Sequence, residues 1–139
     1  MSEQLKLSNQ VCFPIYAFAK ELVNHYRPLL SELGLTYPQY LVMLVLWENN
    51  VQSVNQIGEK LSLDSGTLTP LLKRLEQKNY ITRERAKNDE RVVNISLTET
   101  GNELKSEAEK IPENLLGKMN IPMEDLVTLK KIINKILNQ

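Results

Sequence analysis

Between Lys73 and Arg91 the chain carries seven cations, Lys73, Arg74, Lys78, Arg83, Arg85, Lys87 and Arg91, against four anions, Glu76, Glu84, Asp89 and Glu90. This local excess of three positive charges sits in a chain of 139 residues whose formal net charge is zero. Positive charge focused in this way suits a polyphosphate backbone, because neutralising phosphates releases counterions and supplies most of the non-specific affinity. A solvated hairpin has a similar composition, so the cations need a companion element before they read as an interface.

That companion precedes them. In Leu63-Asp64-Ser65-Gly66-Thr67-Leu68-Thr69-Pro70-Leu71-Leu72-Lys73-Arg74-Leu75-Glu76, Asp64 or Ser65 can satisfy the free amides of a first helical turn. Ser65, Gly66, Thr67 and Thr69 are small, where bulk would keep a helix out of a groove. Leu68, Leu71, Leu72 and Leu75 recur at three- and four-residue steps and form a face to bury. Lys73 and Arg74 follow one turn later, within reach of phosphates. Polar tips, buried leucines and two cations at the far end describe the recognition helix of a helix-turn-helix. Tyr80–Arg85 and Arg91–Leu97 then alternate like strands around the polar, turn-prone Ala86–Glu90. A helix followed at once by a charged hairpin is the order of a winged helix, with Arg83, Arg85, Asp89 and Arg91 on the wing.

The remaining reactive group is Cys12, the sole cysteine. A lone cysteine in a helix is most often a small buried hydrophobe. A peroxidatic or thiol-transfer enzyme would need a second thiol to complete turnover, and the chain has no Cys-x-x-Cys, phosphate loop or acid pair. His25 is the only histidine, and one histidine with one cysteine makes no metal site. No catalytic residue, metal or cofactor is expected.

Several elements must position these groups. A helical stripe of Val11, Ile15, Phe18, Leu22, Tyr26, Leu29 and Leu33 predicts a helix from about Ser8 to Leu33, kinked or split by Pro14 and Pro28. Thr36 and Gln39 form a capping box for a helix to about Glu48, apolar nearly all round and therefore central. Ser53 and Gln56 repeat the pattern for the first helix of the helix-turn-helix. Thr98 caps a helix from Glu99 to about Ile111, ended by Pro112. Ile121-Pro122 opens a last helix with Leu126, Leu129, Ile132, Ile133, Ile136 and Leu137 in a stripe. Apolar stripes at both ends exceed what a small winged domain covers, and an intertwined homodimer would bury them. An apolar fraction of 42% is enough for one core. No apolar run approaches the ~20 residues that span a bilayer, the N-terminal segment lacks a secretory pattern, and the single thiol suits a reducing compartment. These features point to the cytoplasm and to no membrane partner.

Two segments carry a family resemblance. The Leu63–Glu76 helix and the run Asp89-Glu90-Arg91-Val92-Val93-Asn94-Ile95-Ser96-Leu97-Thr98, an Asp-x-Arg before an apolar strand ending in Leu-Thr, resemble the recognition helix and wing of MarR-family regulators. Asn9-Gln10-Val11-Cys12-Phe13-Pro14-Ile15-Tyr16 and Leu35-Thr36-Tyr37-Pro38-Gln39-Tyr40 resemble the family's one-cysteine, peroxide-sensing branch. The resemblance covers nearly the whole chain. It implies a mainly helical winged helix-turn-helix with a small β-hairpin. The winged core would be residues 36–111, flanked by a helical dimerisation region of 1–35 and 112–139. It implies a homodimeric regulator, a repressor, on double-stranded operator DNA through Asp64, Ser65, Gly66, Thr67, Thr69, Lys73, Arg74, Arg83, Arg85, Asp89 and Arg91. It also makes Cys12 a sensor of organic hydroperoxides, hydrogen-bonded by Tyr26 and Tyr37 of the partner subunit with Tyr16 nearby. Phenol donors stabilise the thiolate that attacks a peroxide. The sulfenic acid formed can be capped by a small thiol or overoxidised, and either product would disturb subunit packing. Two other readings stay open: a MarR-type repressor that binds a small aromatic ligand and has an inert cysteine, and a protein-interaction module that never touches DNA, against which Arg91 and the Lys73–Arg74 pair speak.

Overall fold

The computed structural model describes residues 2–139. Two single-turn 3-10 helices, Glu3–Leu5 and Leu7–Asn9, lead into α1 (Cys12–Ser31). The first long helix therefore starts at Cys12 rather than Ser8. Asn9 and Gln10 donate their amides to Lys6 and Leu7 at 3.0 and 3.1 Å, closing tight turns instead of helical ones. Pro14 is the third residue of α1, where the amide it lacks would have had no intrahelical partner. The expected split at the prolines does not occur: α1 runs on through Pro28, which forfeits one amide close to the helix end.

Gly34, at φ +68, turns the chain out of α1. In α2 (Tyr37–Glu48) the Gln39 amide donates to Thr36 Oγ1 at 3.3 Å and the Thr36 amide to Gln39 Oε1 at 3.0 Å, so the capping box forms as the residue types dictate. Val42, Met43 and Leu46 are fully buried, which puts α2 at the centre. Its apolar surface is not wholly enclosed, since Leu44 remains 40% exposed. A short strand, β1 (Gln52–Ser53), was not anticipated, because two residues are too few for an alternation signal.

A second capping box, Ser53 with Gln56, opens α3 (Val54–Leu61), and Ser62 takes the left-handed conformation at the tight turn. The recognition-type helix is α4 (Ser65–Gln77). Leu68, Leu72 and Leu75 of α4 are buried with Ile57 of α3, Leu30 of α1, and Ile81 and Ile95 of the sheet. Strands β2 (Ile81–Ala86) and β3 (Asp89–Leu97) make the wing, and the antiparallel sheet has the order β1-β3-β2. Ala86, Asp89 and Glu90, expected in the turn, belong to the strands; the turn is only Lys87 and Asn88, and the register is irregular at Arg85/Ala86.

Thr98 caps α5 (Glu99–Ala108), accepting from the Gly101 amide at 3.0 Å. Gly101 lies so close to the start of the wing that a Cβ there would meet the Tyr80 carbonyl oxygen at 2.1 Å. Trp47 Nε1–H donates to the Gly101 carbonyl at 2.9 Å, fastening α2 to α5. Pro112 does not end a helix. It stands in the first turn of α6 (Ile111–Met119), which the sequence reading missed, and proline is tolerated there because its absent N–H would be unpaired anyway. Ile111 and Leu115 are buried on this helix, which packs against α1. The last helix is α7 (Met123–Leu137), and among its residues none is buried in the single chain.

Candidate nucleic-acid interface and thiol site

The start of α4 is organised by Asp64, whose Oδ1 accepts the Thr67 amide at 2.8 Å. Hydrogen bonding from the Thr67 side chain, and then from its amide, holds the Asp64 carboxyl below its ordinary range at the positive end of the helix. Ser65, Gly66 and Thr67 are exposed on the first turn, Thr69 is half-buried, and Lys73 and Arg74 are exposed further along. A groove of about 370 Å³ separates this helix from the wing, with Ser65, Thr69 and Lys73 on one wall and Arg83, Arg85 and Arg91 on the other. Six of the residues predicted for a common interface thus line one concave, cationic groove, whereas Asp64, Gly66, Thr67, Arg74 and Asp89 do not line it.

The arginines in that groove differ in freedom. Arg83 donates through Nε and Nη2 to Glu76 Oε1, both at 3.2 Å, which ties the base of the wing to α4. Arg85 Nη1 donates to the Glu90 carbonyl at 2.7 Å across the hairpin. Arg91 is 91% exposed at the tip, with Asp89 as its ion-pair partner. Asp89 carries a carboxyl held below its ordinary range by the bonds from Arg91. One of the seven cations is spent elsewhere: Lys78 donates to the Gly34 carbonyl and, at 3.1 Å, to Gln39 Oε1. Charge counting cannot reveal such an internal partner, because the pairing is made by the fold.

Cys12 is exposed and is the first residue of α1. The residues around it, Val11, Phe13, Ile15 and Tyr16, are exposed too. Tyr16 is one turn along, with Lys20 Nζ 5.3 Å from its ring centroid. The tyrosines of α1 and α2 gather elsewhere. Tyr26 lies 4.6 Å from Tyr37 and 5.8 Å from Tyr40, centroid to centroid, and Tyr40 reaches Trp47 at 6.5 Å. Burial, with Tyr37 and Tyr40 alongside, pushes Tyr26 up to about 12; burial also raises Tyr37 and Tyr40. Within one chain Cys12 and Tyr26 are about 21 Å apart along α1, taking a rise of about 1.5 Å per residue. The single chain therefore brings Tyr26 and Tyr37 together but leaves Cys12 and Tyr16 away from them. Tyr40, one turn after Tyr37, is a third member of the cluster and was not among the residues expected at the thiol site.

Residues 24–108 match the family described as transcriptional regulator SarA/Rot. The chain belongs to this family. It is a transcriptional regulator rather than an enzyme. The organic hydroperoxide resistance transcriptional regulator of Bacillus subtilis (strain 168) is 50% identical over 135 residues, covering 97% of this chain and 92% of the relative. AbfR of Staphylococcus epidermidis has been solved bound to DNA in the reduced and in the overoxidised state. Both DNA-bound structures are 38% identical to this SarA/Rot-family chain with a TM-score of 0.79, and cover 98% of it and 94% or 96% of AbfR. A mutant MarR from E. coli complexed with operator DNA is 25% identical with a TM-score of 0.79, over 88% of this chain and 90% of MarR. No helix among the described residues is long and apolar enough to cross a membrane.

Proposed function

We propose that this chain is a homodimeric repressor that holds operator DNA through α4 and the wing and is released by oxidation of Cys12. The observation that carries the reading is the pairing of an exposed thiol, set among exposed apolar side chains, with a tyrosine cluster that its own chain keeps out of reach. A second copy resolves both features at once. It covers the apolar entry to α1 and the apolar stripe of α7, and it brings Tyr26 and Tyr37 of one subunit to Cys12 of the other. In this scheme residues 1–35 and 112–139 dimerise and residues 36–111 bind DNA.

On DNA, Ser65, Gly66, Thr67 and Thr69 enter the major groove, Lys73 and Arg74 meet phosphates, and Arg91 enters the adjacent minor groove with Asp89 orienting it. Asp64 fixes the helix start, and Arg83 and Arg85 shape the wing. A cytoplasmic location follows from the DNA partner and the need for a reduced thiol.

The chemistry starts at Cys12. Its thiolate attacks the outer oxygen of an organic hydroperoxide, the O–O bond breaks, and the alkoxide leaves as the alcohol after taking a proton. The cysteine is now a sulfenic acid. A small thiol then attacks its sulfur, a mixed disulfide forms and water leaves. The bulky mixed disulfide is the releasing form. The overoxidised relative AbfR is seen on DNA, which favours capping over overoxidation as the signal. The test is a mobility-shift assay on a duplex selected from a random pool by the reduced protein. Treatment with cumene hydroperoxide and then a small thiol should release the duplex; unchanged binding would exclude the reading.

A second reading has one observation in its favour. A largely apolar groove of about 490 Å³ is lined by Tyr40, Leu44, Trp47, Ala108 and Pro112, together with Glu48, Lys105 and Glu109. A small aromatic ligand there would regulate DNA binding with Cys12 inert. A Cys12→Ser protein that responds to an aromatic acid and ignores hydroperoxide, as the wild type then also should, would favour it.

A further inference from the structure

The segment that ends the recognition helix also grips the corner between α1 and α2, beside the tyrosine cluster. Lys78 caps α4 at its C-terminus, Asn79 turns the chain at φ +64, and Tyr80 leads into β2. The Asn79 and Tyr80 amides close the end of α4 on the Glu76 and Leu75 carbonyls, at 2.9 and 3.1 Å. From this short junction, side chains reach back to the corner between α1 and α2. Lys78 Nζ donates to the Gly34 carbonyl and to Gln39 Oε1, and Tyr80 Oη donates to the Leu33 carbonyl at 2.8 Å. Gln39 is the capping-box residue that fixes the first turn of α2, the turn that carries Tyr37. The same junction is held from α5, because the Thr98 hydroxyl donates to the Asn79 carbonyl at 2.6 Å and the Thr98 amide to the Tyr80 carbonyl at 3.1 Å.

We propose that Lys78 and Tyr80 are positioning residues that couple the tyrosine cluster to the recognition helix, so that a displacement of the α1–α2 corner moves α4. The proposal rests on the oxidation-switched reading above. These two side chains span the gap between α1–α2 and α4 with charged or phenolic hydrogen bonds onto the Gly34 and Leu33 carbonyls, which move only if the backbone moves, and onto the Gln39 side-chain oxygen. Lys78 is thereby removed from the DNA-facing cations, and Tyr80 is half-buried with its hydroxyl turned into the corner. Neither belongs to the proposed contact set, which separates coupling from binding. A packed interface of this kind has discrete arrangements rather than continuous give, so a corner held by two anchors shifts as one body with α4.

The test uses the full-length protein and the same selected duplex, with Lys78→Met, Tyr80→Phe and the double variant beside the wild type. Each keeps the stem or ring and loses the donor. Binding is read by fluorescence anisotropy before and after cumene hydroperoxide with a small thiol, and adduct formation at Cys12 is followed by mass spectrometry. The wild type should lose at least about tenfold in affinity on treatment. The double variant should bind the reduced-state duplex within about threefold of wild type, form the adduct to the same extent, and lose less than about threefold. Full release by the double variant would overturn the coupling role while leaving the sensor reading intact. Loss of reduced-state binding would also overturn it, since the junction would then be scaffold for binding. If the wild type itself forms the adduct and stays on DNA, the sensor reading falls and this proposal falls with it.

Discussion

Asp89 Oδ1 accepts both the main-chain amide of Arg91, at 3.0 Å, and its Nε–H, at 3.1 Å, while Asp89 Oδ2 takes Nη2 at 3.3 Å. These bonds give the guanidinium at the wing tip a partner and leave it 91% exposed to an approaching duplex. Arg91→Ala should weaken binding to all duplexes and reduce the magnitude of the salt dependence by about one unit of slope. Asp89→Ala should weaken binding less and keep most of the slope. Salt titrations of both variants check this, and an unchanged slope for Arg91→Ala removes that residue from the interface.

The small residues of α4 should carry sequence preference and its cations affinity. Substituting Thr67 or Thr69 by valine should alter discrimination by about 1–3 kcal/mol at a single base pair. Lys73→Ala should lower affinity without changing preference. Selection from a random pool with each variant distinguishes the two, and the reverse pattern would show that α4 presents a different face.

Dimerisation should depend on α7. Ile132, Ile133 and Ile136 are 52%, 41% and 58% exposed, so the single chain gains little from them. Burying an isoleucine contributes about 1.5–3 kcal/mol. The pair Ile132→Asp and Ile136→Asp should therefore weaken the dimer by more than about a hundredfold while the far-ultraviolet circular dichroism of the winged core persists. Sedimentation velocity reads the outcome; a dimer that survives both substitutions at micromolar concentration would place the interface elsewhere.

The tyrosine cluster makes stability depend on alkaline pH. A tyrosine in the unfolded chain ionises near 10.0, whereas Tyr26 in the fold is pushed up to about 12. The unfolded state thus releases its proton first as pH rises, so the stability present below about 10 is lost progressively up to about 12. Melting temperatures should fall across that window, less steeply in Tyr26→Phe. Tyrosinate absorbance that shows every tyrosine ionising together near its ordinary value would contradict the clustered burial.

What could be read from the sequence was what is decided within a few residues. The capping boxes at Thr36 and Ser53, the Asp64 cap and the leucine face of α4 each pair groups three or four positions apart, and all are present as expected. Pro112 was misread because proline can close one helix or open the next. Burial of Ile111 and Leu115 against α1 decides between these, and that contact is tertiary. The partners of Lys78, Arg83 and Arg85 were hidden for the same reason, since charge in a sequence does not name its counter-charge. The union of Tyr26 with Tyr37 and Tyr40 depends on how α1 crosses α2. The cluster's distance from Cys12 within one chain is set by the length of α1, since fourteen residues of helix rise about 21 Å.

The measurement closest to the central claim is DNA binding by Cys12→Ser under oxidant. Serine keeps the size and the helix start but cannot form a sulfenic acid or a disulfide. The reduced wild type and Cys12→Ser should hold the selected duplex equally. After cumene hydroperoxide and a small thiol, the wild type should dissociate and Cys12→Ser should stay bound. Release of Cys12→Ser to the same extent as the wild type would show that the switch lies elsewhere.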